Sequence, residues 1–141
     1  MNIDELEEMA TKDMKIDKSE LAIAALRVPM IHHKYLKIQN SEVFLLKKCM
    51  FEYDTLYKER VQFYTGKADP EVYKEEPFDI TVLRADVDMY IRADKKIQAM
   101  KSRIILQEQK VEYLKQLIIE LGKRNWAIKN AIDFIKYQHG Q

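Results

Sequence analysis

Cysteine, glycine and proline are all scarce, with one Cys, three Gly and three Pro in 141 residues. The lone Cys49 excludes a disulfide framework within the chain and a thiolate zinc site, and it suits a reducing compartment. So few turn formers cannot build a sandwich or barrel of short strands, which needs a turn signal about every 8 to 12 residues. The longest unbroken apolar run, Leu21 to Leu26, is too short to cross a bilayer. The first residues are acidic and carry no apolar stretch, unlike a secretory signal, so cytosolic character is expected. There is no Gly-rich phosphate loop and no dinucleotide fingerprint, which excludes a P-loop ATPase. Of the three imidazoles, His32 and His33 would splay to different faces of a helix, and His139 lies far along the chain. Without ligand spacing or a nucleophile beside a base, neither a metal, a cofactor nor a catalytic residue is expected.

Apolar residues at 47% and charged residues at 33% describe one small folded domain over residues 1–141. The formal net charge of +1 conceals a segregation. Residues 1–33 sum to −3, 34–67 to +3, 68–83 to −4 and 84–141 to +5. Two basic stretches therefore alternate with two acidic ones, and a basic surface forms wherever folding or assembly gathers the former.

Hydrophobic periodicity predicts a mainly α fold with two long helices, organised as residues 1–66, an acidic loop over 67–84, and 85–141. A short helix is expected near residues 3–13. Asp17 with Glu20 reads as a capping box that starts a second helix, and Pro29 should kink or break that helix. Residues 30–65 hold neither Gly nor Pro and keep helical spacing up to Gly66, a natural stop. Phe78, Ile80 and Val82 alternate with polar residues, so residues 78–84 admit a short β element.

The most regular pattern lies between residues 90 and 121. Tyr90, Ile97, Ile104, Val111 and Ile118 form one heptad series, and Ala93, Met100, Gln107, Leu114 and Leu121 form the other, a coiled-coil-like helix. Gly122 should end or bend it, with Asn125 capping a final helix that carries Trp126, Ile128, Ile132 and Ile135. A stripe this wide needs neighbours on two sides, so self-association is expected through Ile97, Ile104, Val111, Leu114, Ile118, Leu121, Trp126 and Ile128.

One segment interleaves bases with rings at a helix end: Tyr57-Lys58-Glu59-Arg60-Val61-Gln62-Phe63-Tyr64-Thr65-Gly66-Lys67. Lys and Arg neutralise phosphates, while flat rings stack unpaired bases without reading their sequence, a combination suited to single strands. The plainer alternative is that the rings pack and the bases solvate an outer face, since aromatic stripes at helical spacing are more often core. The C-terminal Lys123-Arg124-Asn125-Trp126-Ala127-Ile128-Lys129 has the same two readings. On residues alone, a single-strand binder and a helical scaffold or adaptor without direct nucleic-acid binding both stand.

These two motifs resemble those of the UvsY recombination mediators of T-even-type bacteriophages. There a Lys-x-Arg pair leads to two aromatics, a Ser or Thr, a Gly and a base, as in Lys58 to Lys67, and a basic, aromatic, Ala-Ile-Lys stretch follows near the C-terminus. The acidic first helix, Ile16-Asp17 and Leu83-x-Ala85-Asp86 agree as well, whereas Asn125 stands in place of Gly and Phe63 in place of Tyr. The resemblance implies a non-enzymatic accessory of recombination, repair and replication in the cytoplasm of an infected bacterium. Such a protein binds single-stranded DNA, contacts the phage recombinase and the phage single-stranded-DNA-binding protein, and helps the first replace the second. It also implies a ring-like homo-oligomer of about six or seven subunits. Carried onto this chain, Lys58 and Arg60 become phosphate contacts, with Tyr57, Tyr64 and Lys67 adjoining and Arg124 and Lys129 as additional candidates.

Overall fold

The computed structural model describes residues 1–140, and among them every regular element is helical. The order is α1 (Ile3–Asp13), α2 (Leu21–Tyr64), α3 (Pro70–Glu75), a 3-10 turn (Arg84–Asp86), α4 (Val87–Ala93) and α5 (Lys95–Gln138). The mainly α expectation therefore holds. The β element does not: residues 78–83 take no regular structure, and no second strand exists among the described residues to satisfy a ladder. Two compact units divide the chain, one of Met1–Val43 with Glu108–Gln141 and one of Phe44–Gln107, and both long helices contribute to each.

In the first unit α1 is closed by a reciprocal cap. Asn2 Oδ1 accepts from the Glu5 N–H at 2.8 Å, while Glu5 Oε2 accepts from the Asn2 N–H at 3.1 Å. Leu6 and Ala10, one turn apart, are buried with Ile31 and Tyr35 of α2 and Leu114, Leu117 and Leu121 of α5. The Tyr35 hydroxyl, carried into this core, donates to Asp13 Oδ2 at 2.7 Å, and Lys34 Nζ donates to the same oxygen at 2.7 Å. A buried hydroxyl without that acceptor would cost about 1–3 kcal/mol.

Several local expectations change. Asp17 does not cap α2; its carboxylate accepts from the Ser19 N–H and hydroxyl and stabilises a turn ahead of Leu21. Nor does Pro29 break the helix, which runs uninterrupted for 44 residues. The missing N–H costs one bond, to the Ala25 carbonyl, and the remaining ladder carries the helix through. Gly122 and Asn125 likewise sit inside α5 rather than between two helices. The break comes earlier, at Asp94, where the backbone is extended and Oδ1 accepts from the Ile97 N–H at 2.9 Å as an N-cap. Tyr90 and Ala93 thus belong to α4 and precede the long helix. The acidic loop also contains a helix, α3, begun by Pro70 in the first turn, where its absent N–H is not missed.

Gly66 does end α2. At φ +75° it lets the Lys67 N–H reach the Gln62 carbonyl at 2.8 Å and the Gly66 N–H reach Phe63 at 3.4 Å, the paired bonds of a Schellman stop. The chain is thereby turned back so that α3 and Phe78 lie beside the helix end that carries the basic-aromatic motif.

Candidate functional site

The second unit is organised around Arg60, whose residue is only 4% exposed. From the last turns of α2 its guanidinium reaches two acids. Nε donates to Asp94 Oδ2 at 2.7 Å; Nη1 and Nη2 donate to Glu76 Oε2 and Oε1 at 3.0 and 3.1 Å. Tyr64, one turn on, donates its hydroxyl to the same Asp94 oxygen at 2.7 Å. The guanidinium carbon also lies 4.2 Å from the Phe63 ring centroid, where a weakly hydrated cation gains from the face of an aromatic ring.

Around this pair Phe63, Tyr64, Tyr73, Phe78 and Tyr90 form a continuous aromatic cluster with neighbouring centroids 5.1 to 6.0 Å apart. Tyr73 stacks on Phe63 at 5.3 Å and donates its hydroxyl to the Phe63 carbonyl at 2.8 Å. That carbonyl belongs to the last turn of α2, where intrahelical donors run out. Phe78, expected in a strand, is instead a cluster member.

The electrostatics follow from burial. Desolvation disfavours every charge here, but for Arg60 the bonds to Glu76, Tyr64 and Asp94 outweigh it and hold the guanidinium charged beyond its ordinary tendency. Asp94 is raised by burial yet ends below the usual carboxylate range, because Tyr64, the Ile97 N–H and Arg60 all donate to it. Glu76 is lowered first by its bond to Arg60. In the first unit, burial opposes ionisation of Asp13, but Lys34 and Tyr35 again leave it net lowered. Since these folded-state values lie below the ordinary 3.8 of Asp and 4.5 of Glu, the stabilisation is fully present above those values. It should be lost as pH falls through the depressed folded values. Melting curves between pH 7 and 3 should show a flat midpoint that drops below about pH 4.5, and a midpoint that rises on acidification would contradict the assignment.

Of the sequence-derived candidates, Tyr57, Lys58 and Lys67 are exposed, whereas Arg60 is buried and Tyr64 is half-buried in the cluster. An open cleft of about 850 Å³ runs beside Arg60, lined also by Phe63, by the bases Lys67 and Lys96 and by the acids Glu59, Asp69, Glu75 and Glu76. Lys96, which sequence reasoning missed, stands in the first turn of α5 with Nζ 3.6 Å from Glu76 Oε2. Its only signal was the basic pair Lys95-Lys96, unremarkable in a helix rich in charge.

The C-terminal motif divides in the first unit. Arg124 is buried and caps α1: Nη2 donates to the carbonyls of Met14 at 2.9 Å and Lys15 at 3.1 Å, and Nη1 to Asp13 at 3.4 Å. Lys129 is exposed, Ile128 is buried, and Trp126 is 71% exposed. Among the residues expected to mediate assembly, Ile97, Leu114 and Leu121 join Ile128 inside the chain's own core, while Ile104, Val111 and Ile118 are half-buried. Among the described residues no group of His, Cys, Asp and Glu could hold a metal, and no helix is long and apolar enough to cross a membrane.

The family model described as "Recombination, repair and ssDNA binding protein UvsY" matches residues 9–141. The chain belongs to the UvsY family. Crystal structures of the bacteriophage T4 recombination mediator protein UvsY are similar in fold. One lattice form superposes with a TM-score of 0.85 at 19% identity, covering 99% of this chain and 98% of that one. Another gives 0.83 at 20% identity, with 98% and 99% covered. No curated protein sequence matches the chain. UvsY membership makes this a protein of recombination, repair and single-stranded-DNA handling rather than an enzyme.

Proposed function

We propose that the chain binds single-stranded DNA directly, self-associates, and mediates the exchange of a single-stranded-DNA-binding protein for a recombinase on that strand. The observation that carries this reading is the end of α2, where Tyr57 and Lys58 are exposed and Lys67, also exposed, lines a cleft together with Arg60 and Lys96. Cations supply backbone contacts and an exposed ring supplies a sequence-tolerant stacking face. Self-association rests on apolar faces that the chain leaves open. Ile23, Leu26 and Met30 follow each other on α2 at helical spacing, Leu26 being 79% exposed, and Trp126, Phe134 and Tyr137 lie exposed on α5. Patches of this kind are what a second copy covers. Assembly would repeat the Lys58 and Lys67 contacts on one strand, so weak single contacts add into useful avidity. A ring-like arrangement, acting in the cytoplasm of an infected bacterium, completes the reading.

Lys58→Ala with Lys67→Ala is the direct test, because both side chains are exposed and their loss leaves the Arg60 pair intact. Anisotropy of a labelled oligonucleotide across a salt series should show weaker binding. The log–log salt slope should flatten by about 0.7 for each lost phosphate contact. Equal affinity and slope in the variant, with unchanged size by light scattering, would remove both lysines from the DNA contact, whereas an unaltered protein that assembles but shows no salt-sensitive binding would favour the scaffold reading.

A further inference from the structure

Glu76 presents two oxygens to the two terminal nitrogens of Arg60 at 3.0 and 3.1 Å, and Lys96 approaches one of them at 3.6 Å. A guanidinium fork gripping two oxygens of one anion, with an ammonium beside it, is also how arginine and lysine hold a phosphate. The third side of the fork is different in kind. Nε is fixed on Asp94, which is itself buried and held by Tyr64 and the Ile97 N–H, so Arg60 keeps its aim whether or not Glu76 is present. Glu76 is the replaceable partner: its side chain is 44% exposed against 3% for Asp94, and it borders the open cleft. Its segment is short and acidic, and is fastened to the end of α2 by the Tyr73 stack on Phe63 and the Tyr73 hydroxyl.

We propose that Glu76 is a built-in surrogate for a DNA phosphate, and that a backbone phosphodiester of the single strand displaces it from a cradle formed by Arg60 and Lys96. This rests on the single-strand-binding reading above and adds to it a second cation, a competitor and a reason for burying Arg60. The free protein keeps its strongest phosphate-binding fork closed by an internal anion. Strand binding at the exposed lysines brings a phosphate within reach, and the acidic segment then swings clear. Because one anion replaces another on Arg60, this contact releases few counterions. Removing the internal anion should therefore make the salt dependence steeper as well as the binding tighter.

Glu76→Gln keeps the size of the side chain and removes its charge. It should bind a labelled oligonucleotide about fivefold more tightly at low salt, as expected for loss of a half-exposed ion pair, with the slope steeper by about 0.7 per occupied site. Adding Lys96→Gln should cancel most of the gain. If the unaltered protein shows no salt-sensitive binding, the single-strand-binding reading itself fails. If it binds, but folded Glu76→Gln binds no more tightly and with the same slope, the surrogate is overturned and the reading above survives. Hydrogen exchange on the unaltered protein supplies a second test that needs no variant. The Glu76 N–H, bonded to the Val72 carbonyl at 2.9 Å, should exchange faster when oligonucleotide is added. Equal or slower exchange across residues 70–76 in the saturated complex would overturn the displacement.

Discussion

Asp94→Ala is expected to lower unfolding stability by about 3–5 kcal/mol, the cost of leaving a buried charge without its partner. Three losses coincide at this one carboxylate. Arg60 Nε loses its acceptor, the Tyr64 hydroxyl loses its acceptor, and the Ile97 N–H in the first turn of α5 loses its cap. The remaining partner of Arg60, Glu76, is half-exposed to water, so it cannot compensate for the buried side. Denaturant unfolding followed by circular dichroism checks the magnitude. A double-mutant cycle with Arg60→Met should return a coupling of about 0.5–3 kcal/mol, because the methionine removes the charge that Asp94 was holding. A loss below about 1 kcal/mol would mean that the pair is solvated, as surface ion pairs are. Any variant of Arg60 therefore tests the fold together with the proposed DNA contact, which is why the exposed lysines are the cleaner probes.

Asp94 also shows where sequence reading stops. The Gly66 stop, the first helix at residues 3–13 and the two long helices were legible, because each rests on local chemistry: one φ value, one cap, one periodicity. The α4–α5 break was not, since Tyr90, Ala93 and Ile97 keep the heptad spacing across it and Asp94 falls between them as one more polar residue. Arg60 and Lys58 look alike in the motif, two bases among aromatics. Only partners 16 and 34 residues away, Glu76 and Asp94, make one of them internal and leave the other outside. Arg124 is similar: its acceptors are carbonyls more than a hundred residues earlier, and no spacing within the motif hints at them. The aromatic stripe divides along the same line, with Phe63 and Tyr64 packed as the plainer alternative held and Tyr57 left exposed.

Leu121→Ala should cost about 2–5 kcal/mol and Leu114→Ala about the same, since each side chain is fully buried and its truncation leaves a cavity that helices cannot easily collapse. Val111→Ala on the same helix should cost much less, about 1 kcal/mol, because that position is only half-buried. The contrast tests the register of the helix. Equal burial of the two heptad series would make Val111 and Leu114 comparable, as a two-series seam requires. Instead the buried residues that α5 contributes to the first unit are Leu114, Leu117, Leu121, Arg124 and Ile128, spaced three and four apart, so the seam is rotated to run between the Leu114 series and the residues just before the Val111 series. Ile118 and Val111 are thereby turned toward the edge, and Ile119 further out. Chemical denaturation of the three alanine variants decides the point: a Val111 loss equal to that at Leu121 would restore the unrotated seam. The rotation has a consequence for assembly. Leucines that looked available for partner helices already fill the intrachain core, so truncating them should unfold the chain rather than dissociate the proposed assembly into intact subunits. Light scattering beside the melts separates those outcomes, because dissociation without loss of helicity at Leu121→Ala would place that side chain between subunits.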